Sequence, residues 1–231
     1  MEENDLFLFD WKVDQEGYDL EFFQPPPLAP VIPVTVLSEV ATEPYWIIKP
    51  RGGPLHYYRP LKDHPGLARR FADLAQTPGD NAALVDLANT FGLLTVAKTG
   101  RVSEWWGIIH SLHVFFSMKD ADDIEGACAA FNRHVQSRFS ATIRYERAKR
   151  PELELSPFHL AGALWFQAAG ELTHGTTFKR CRVCPTWFPV GRGTKHRKTR
   201  KFCSDRCRKT WHRKQKDVVA LPVIFDRETA K

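Results

Sequence analysis

From about His64 onward, apolar positions recur at three- and four-residue steps, the period of a helix with one buried face. Leu67, Phe71, Leu74 and Ala75 open the series. Asp80 is a capping residue and precedes a second helix carrying Leu84, Leu87, Ala88, Phe91 and Leu94. Ser103 and Glu104 open a third, with Trp106, Ile109, His110, His113 and Phe116. Asp120 to Phe139 predicts a fourth, with acids in its first turn where the helix dipole favours them. Ser156 followed by Pro157 reads as a cap and first helical residue. That fifth helix runs to about His174, and Gly175 stops it. Before it, Ile143, Tyr145, Leu153 and Leu155 alternate, which predicts a hairpin turned at Arg150-Pro151.

The amino-terminal third follows a different pattern. Phe7, Phe9, Trp11, Phe22 and Phe23 interleave with acids, and two short strands flank Gln15-Glu16-Gly17. Pro25-Pro26-Pro27, Pro30 and Pro33 then predict a stiff extended linker. Val34 to Tyr58 mixes β-branched and aromatic residues around Gly52-Gly53-Pro54, a pattern of short strands and turns. The expected class is mainly α with some β. The layout is an acidic, proline-rich segment over 1–39, an α-rich domain over 40–175, a small basic module over 176–216 and a tail over 217–231.

Composition narrows this picture. The chain has 231 residues, 43 % hydrophobic and 26 % charged, ordinary for a soluble globular protein. It holds no run of 18 apolar residues, so no membrane helix is expected. The acidic start Met1-Glu2-Glu3-Asn4-Asp5 is unlike a secretory signal, so a cytoplasmic location is expected.

The five cysteines are Cys128, Cys181, Cys184, Cys203 and Cys207. Cys128 lies between small residues and reads as core. The other four follow the pattern Cys-x2-Cys-x18-Cys-x3-Cys. Two closely spaced pairs in a reducing compartment read as ligands for one tetrahedral Zn²⁺. Cys181-Arg182-Val183-Cys184 suits a tight knuckle. Cys203 and Cys207 suit one face of a helix that begins near Ser204 and Asp205. The intervening stretch, with Trp187-Phe188 and Gly191-Arg192-Gly193, suits a hairpin. Knuckle, hairpin and ligand-bearing helix make a treble-clef finger. Four sulfurs saturate the ion, so the site reads as structural. His196 and His212 read as surface residues.

Charge is distributed unevenly. The net charge is +6, yet Gly175 to Lys216 holds 15 Lys plus Arg against Asp205 alone. The rest of the chain is therefore acidic, and the basic segment points to a polyanionic partner. Arg197, Lys198 and Arg200 precede the third cysteine. Arg206, Arg208, Lys209, Arg213 and Lys214 follow it. These eight are the expected phosphate contacts, with duplex DNA ahead of RNA as the partner.

Arg180-Cys181-x2-Cys184-x2-Trp187-Phe188, followed by Lys201-Phe202-Cys203-Ser204-x2-Cys207-Arg208, resembles the carboxy-terminal finger of bacterial CGNR-type proteins. Those proteins carry an α-rich ABATE domain ahead of the finger and are regarded as transcription regulators. The match is specific over about 40 residues and covers the rest only in outline. After Cys207 the chain reads Arg208-Lys209-Thr210, not Gly-Asn-Arg, which departs from that family. The Phe-Cys-Ser-x-x-Cys element is also similar to other treble-clef fingers, some of which bind proteins.

The resemblance implies a DNA-binding regulator whose helical domain binds a small ligand, dimerises or docks a partner. The alternatives are a zinc-stapled protein adaptor or inhibitor, and an RNA-binding protein with Trp187 or Trp211 as a stacking ring. The sequence holds no Gly-rich phosphate loop and no nucleophile elbow, so no enzyme is expected. Glu171-x-x-His174 has no second copy and reads as a helix end, not a di-iron motif. His110 and His113 read as core.

Overall fold

The computed structural model describes residues 9–24, 44–135, 138–144, 152–184, 186–191 and 194–219. The chain divides into two units, residues 1–175 and 176–231. The proline-rich linker, the turn at Arg150-Pro151 and residues 220–231 of the tail lie outside the described residues.

The first unit opens on a bent antiparallel ribbon. Its strands are β1 (Trp11–Asp14), β2 (Tyr18–Phe23), β3 (Tyr45–Pro50) and β4 (Leu55–Tyr58). The two strands flanking Gln15-Glu16-Gly17 do not pair with each other. β1 pairs with β4 from Trp11↔Tyr58 to Asp14↔Leu55. β2 pairs with β3 from Tyr18↔Pro50 to Phe23↔Tyr45. Residues 15–17 therefore face 51–54, and the extra residue kinks the ribbon as a bulge does. Asp14 pins the kink: its buried carboxylate accepts from the backbone N–H of Glu16 at 2.9 Å, Gly52 at 2.7 Å and Gly53 at 3.0 Å. Phe9, Trp11, Val13 and Tyr18 are buried in the main core. Residues 9–24 are thus part of the first unit, not a segment apart from it. A pattern of acids alternating with aromatics carries both a wet and a dry face.

The helices are α1 (Pro60–Asp63), α2 (Leu67–Asp73), α3 (Asn81–Phe91), α4 (Val102–Asp120), α5 (Ile124–Val135) and α6 (Leu160–Thr173). Two further strands, β6 (Phe139–Arg144) and β7 (Glu152–Pro157), form a hairpin, and β5 (Gly100–Arg101) pairs with β3. α4 is the central helix. Trp105, Ile109, Leu112, Phe115 and Phe116 are all buried along it. Trp105 sits 6.2 Å from Phe71 of α2, and Phe115 meets Trp165 of α6 edge-on at 5.8 Å.

Asp80 caps α3, its Oδ1 accepting from Ala83 N at 3.0 Å. Asp80→Ala should cost about 1 kcal/mol, read as a shift in the denaturation midpoint with an unchanged slope. Gly92 ends α3 at φ 79°, where a Cβ would lie 2.2 Å from the Lys12 carbonyl oxygen. Only glycine lets α3 close this tightly on β1.

Four expectations fail on local competition. Ser156 and Pro157 do not start α6; they end β7, paired with Ser140 and Phe139. The helix starts at Leu160 instead, where the His159 ring accepts from Gly162 N at 3.1 Å. The fourth helix is shorter than expected because Asp122 turns the chain at φ 64° and Asp123 caps a fresh start. Cys128 is exposed, since Ala127 beside it takes the buried position on α5. His110 is exposed and His113 half-buried, because Trp105 and Ile109 fill the inner face of α4.

The Glu171-x-x-His174 helix end holds an ion network that the sequence reading missed. Arg69 and Glu171 are both buried. Arg69 Nε donates to Glu171 Oε2 at 2.8 Å, and its Nη atoms donate to both Asp120 oxygens at 2.8 and 2.9 Å. The guanidinium lies 4.4 Å above the Phe116 ring, and Lys119 Nζ stands 3.7 Å from Glu171.

Candidate metal centre and its cationic surface

The second unit begins with β8 (Thr177–Arg180) and β9 (Trp187–Val190), an antiparallel pair. The knuckle Cys181–Cys184 is the tip of this hairpin, closed by Cys181 N donating to Thr186 O at 3.0 Å. The hairpin therefore carries the first ligand pair instead of following it. Residues 192 and 193 lie outside the described residues. The helix α7 (Asp205–Val219) comes last. Ser204 caps it, its Oγ accepting from Cys207 N at 3.3 Å. Cys203 sits just before this cap, and Cys207 lies in the first turn.

The four sulfurs converge, all within 4.8 Å of one another. Cys184 and Cys203 Sγ stand 3.5 Å apart, Cys203 and Cys207 3.6 Å, and Cys207 and Cys184 3.7 Å. A tetrahedral ion with Zn–S bonds of about 2.3 Å requires sulfur–sulfur edges of about 3.8 Å. The donor set and its spacing therefore fit Zn²⁺, and the four thiols form one zinc site. Every ligand is sulfur from the protein, so the ion's work here is to hold the fold.

The local electrostatics favour thiolates at the knuckle. Burial acts to raise Cys181, but the backbone N–H groups of Cys203, Cys184 and Val183 outweigh it and hold Cys181 near 6, down to about 6 from the usual 9.0. Cys184 is also lowered: burial opposes this, and the Thr186 hydroxyl and backbone N–H supply it. Burial and then the neighbouring sulfurs of Cys184, Cys207 and Cys181 push Cys203 up to about 12. Metal binding must displace that proton, which a divalent charge does readily.

The supporting core is small. Cys181, Phe188 and Val190 are buried, with Val183 and Phe202 packed against them. Arg200 stitches the basic loop to the site: Nε donates to Phe202 O at 2.7 Å, Nη2 to Cys203 O at 3.3 Å, and Nη1 to His196 Nδ1 at 2.8 Å. His196 is thus a half-buried internal partner, 5.8 Å from Phe188, while His212 is exposed.

Of the eight expected phosphate contacts, Arg197, Lys198, Arg206, Arg208, Lys209, Arg213 and Lys214 are exposed. Arg200 is not free, being committed to the contacts above. Arg208, Lys209, His212 and Arg213 line a shallow depression of about 390 Å³. Trp187 and Trp211 are half-buried, and Trp211 packs 6.0 Å from Phe202. Among the described residues, no helix is long and apolar enough to cross a membrane. Comparison with known families, with curated proteins and with solved structures finds no match.

Proposed function

We propose that this is a zinc-dependent DNA-binding regulator, in which residues 176–219 grip duplex DNA and residues 9–175 form a sensor or dimerisation unit. The observation that carries the reading is the exposure of seven cations on α7 and its preceding loop. Asp205 is the lone acid across Gly175 to Lys216. A face kept soluble by charge mixes both signs. A single-sign face on a metal-held scaffold suits a phosphate backbone. The resemblance of the finger to CGNR-type proteins, and of the α-rich unit to an ABATE domain, agrees with a regulator. The half-buried rings of Trp187 and Trp211 favour duplex DNA over single-stranded RNA, whose readers stack bases on open aromatic faces.

The test titrates labelled duplex DNA, single-stranded RNA and a neutral protein control against the zinc-loaded chain at two salt concentrations. If about six phosphates are neutralised, log K for duplex falls with log salt at a slope of roughly −5. Tighter binding to RNA than to duplex reverses the choice of nucleic acid. Failure to bind either at low salt overturns the reading in favour of a zinc-stapled protein adaptor.

A further inference from the structure

The geometry points to α7 as a helix that enters the major groove of B-form DNA, with Lys209 and Arg213 against base edges and Arg208 against a phosphate wall. This rests on the DNA-binding reading above and goes further, dividing the cations of one helix into two jobs.

The division follows from which side of α7 is occupied. Cys207 faces inward as a zinc ligand, and Trp211, one turn later, packs on Phe202. At 3.6 residues per turn, the direction opposite these two falls on Lys209, with Arg213 one turn beyond it. Arg206 lies near the same line, one turn earlier. All three are exposed. Arg208 lies to one side of this crown and is also exposed, whereas Lys214, seven residues after Cys207, falls back on the zinc-facing side of the helix. Asp205, the lone acid of the helix's first turn, stands 3.3 Å from Arg208 and leaves the crown cationic.

Dimensions suit this placement. A helix with its side chains is about 10–12 Å across, and the B-DNA major groove is about 12 Å wide. A helix seated there presents its crown to the base edges and its flanks to the two backbones. Arg and Lys pair with guanine O6 and N7, the commonest specific contact in that groove. The flanking Arg208, with Arg197 and Lys198 of the exposed loop, fixes position without reading sequence. An A-form RNA duplex offers only a deep, narrow major groove that side chains do not read. The partner this helix fits is therefore B-form DNA.

The experiment uses the full zinc-loaded chain and a duplex pool with a randomised core. The tightest recovered duplex is then remade with 7-deazaguanine, which removes the N7 acceptor and leaves the backbone unchanged. The enriched duplex should contain guanine, and the deaza version should bind roughly 5-fold more weakly, the lower end of what a bidentate base contact is worth, since O6 remains. Lys209→Ala and Arg213→Ala should relax the preference at one position each. Arg208→Ala should weaken all duplexes alike and make the salt slope shallower by about 1. Zinc content is measured on every variant, and Lys209→Gln and Arg213→Gln replace any alanine variant that loses the metal.

Three results overturn the groove assignment: no sequence is enriched, the deaza duplex binds as well as its parent, or Lys209→Ala behaves like Arg208→Ala. Each of these leaves salt-dependent duplex binding, and hence the DNA-binding reading, standing. Absence of duplex binding at any salt overturns both.

Discussion

Cys203→Ser abolishes zinc binding and unfolds the carboxy-terminal unit, while residues 9–175 keep their fold. The expectation follows from how little else holds that unit together. Among the described residues its buried side chains are Cys181, Phe188 and Val190, and Cys181 is itself a ligand. So small an apolar core cannot offset the ordering entropy of a module of about 40 residues. Metal binding can, since structural zinc contributes on the order of 10–16 kcal/mol in comparable peptides. Cys203 is one of the four sulfurs that close the site. Its sulfur is 3.5 Å from Cys184 and 3.6 Å from Cys207, and its carbonyl accepts from Arg200. A serine oxygen is a harder and shorter donor that cannot complete a four-sulfur set.

The first unit supplies no ligand and has its own core around α4, so it stays folded. Metal content falls from one zinc per chain to none, limited proteolysis cuts after about residue 175, and the helical signal of the first unit persists. A chelator produces the same pattern in the parent chain. Retention of a protease-resistant 176–219 fragment without metal contradicts the account.

How much was legible in the sequence depended on whether a signal was local. The cysteine spacing fixes a metal geometry by itself, because four soft donors in two short pairs admit few alternatives, and the sulfurs do converge. The α3 cap at Asp80 was equally readable, since it is set within a few residues. The helical period of α4 was too, but of its expected inner face Ile109 and Phe116 are buried while Trp106 and His113 are half-buried and His110 is exposed. Pairing partners were not legible. The strands flanking Glu16 look like a hairpin because their turn is short, yet Tyr18 pairs with Pro50 and Trp11 with Tyr58. Long-range registry of this kind leaves no trace in local period. Ser156-Pro157 failed similarly, since pairing to Phe139 and Ser140 outweighs a weak capping preference. In the basic module, composition gave the charge, but only geometry shows that Arg200 is spent on Phe202, Cys203 and His196. The Arg69–Glu171 pair spans 102 residues and had no sequence signature at all.

That pair carries the largest expected effect in the first unit. Arg69→Ala should destabilise residues 9–175 by about 3–5 kcal/mol, the cost of leaving a buried charge without its partner. Glu171 has a side-chain exposure of 2 %, and with Arg69 gone the cation left near it among the described residues is Lys119 at 3.7 Å. The loss should depend on pH, with a definite sign. Burial already pushes Glu171 from the ordinary 4.5 up to about 7, although Arg69 pulls the other way. A carboxyl whose folded pKa exceeds its unfolded value binds more protons when folded. Its contribution to stability therefore falls as pH rises from about 4.5 through 7. Removing Arg69 removes the opposing pull, so the window extends upward and the variant's deficit is larger at pH 8 than at pH 5.5. Guanidinium unfolding followed by fluorescence of the buried Trp105 and Trp165 measures both values. Arg69→Met with Glu171→Leu should recover most of the loss and flatten its pH dependence, because two apolar side chains leave no unpaired charge. Asp120 tolerates the change, being half exposed at 54 %. A single-variant loss below about 1 kcal/mol at pH 8, or one equal at both pH values, contradicts the assignment of Arg69 as the charge partner that Glu171 requires.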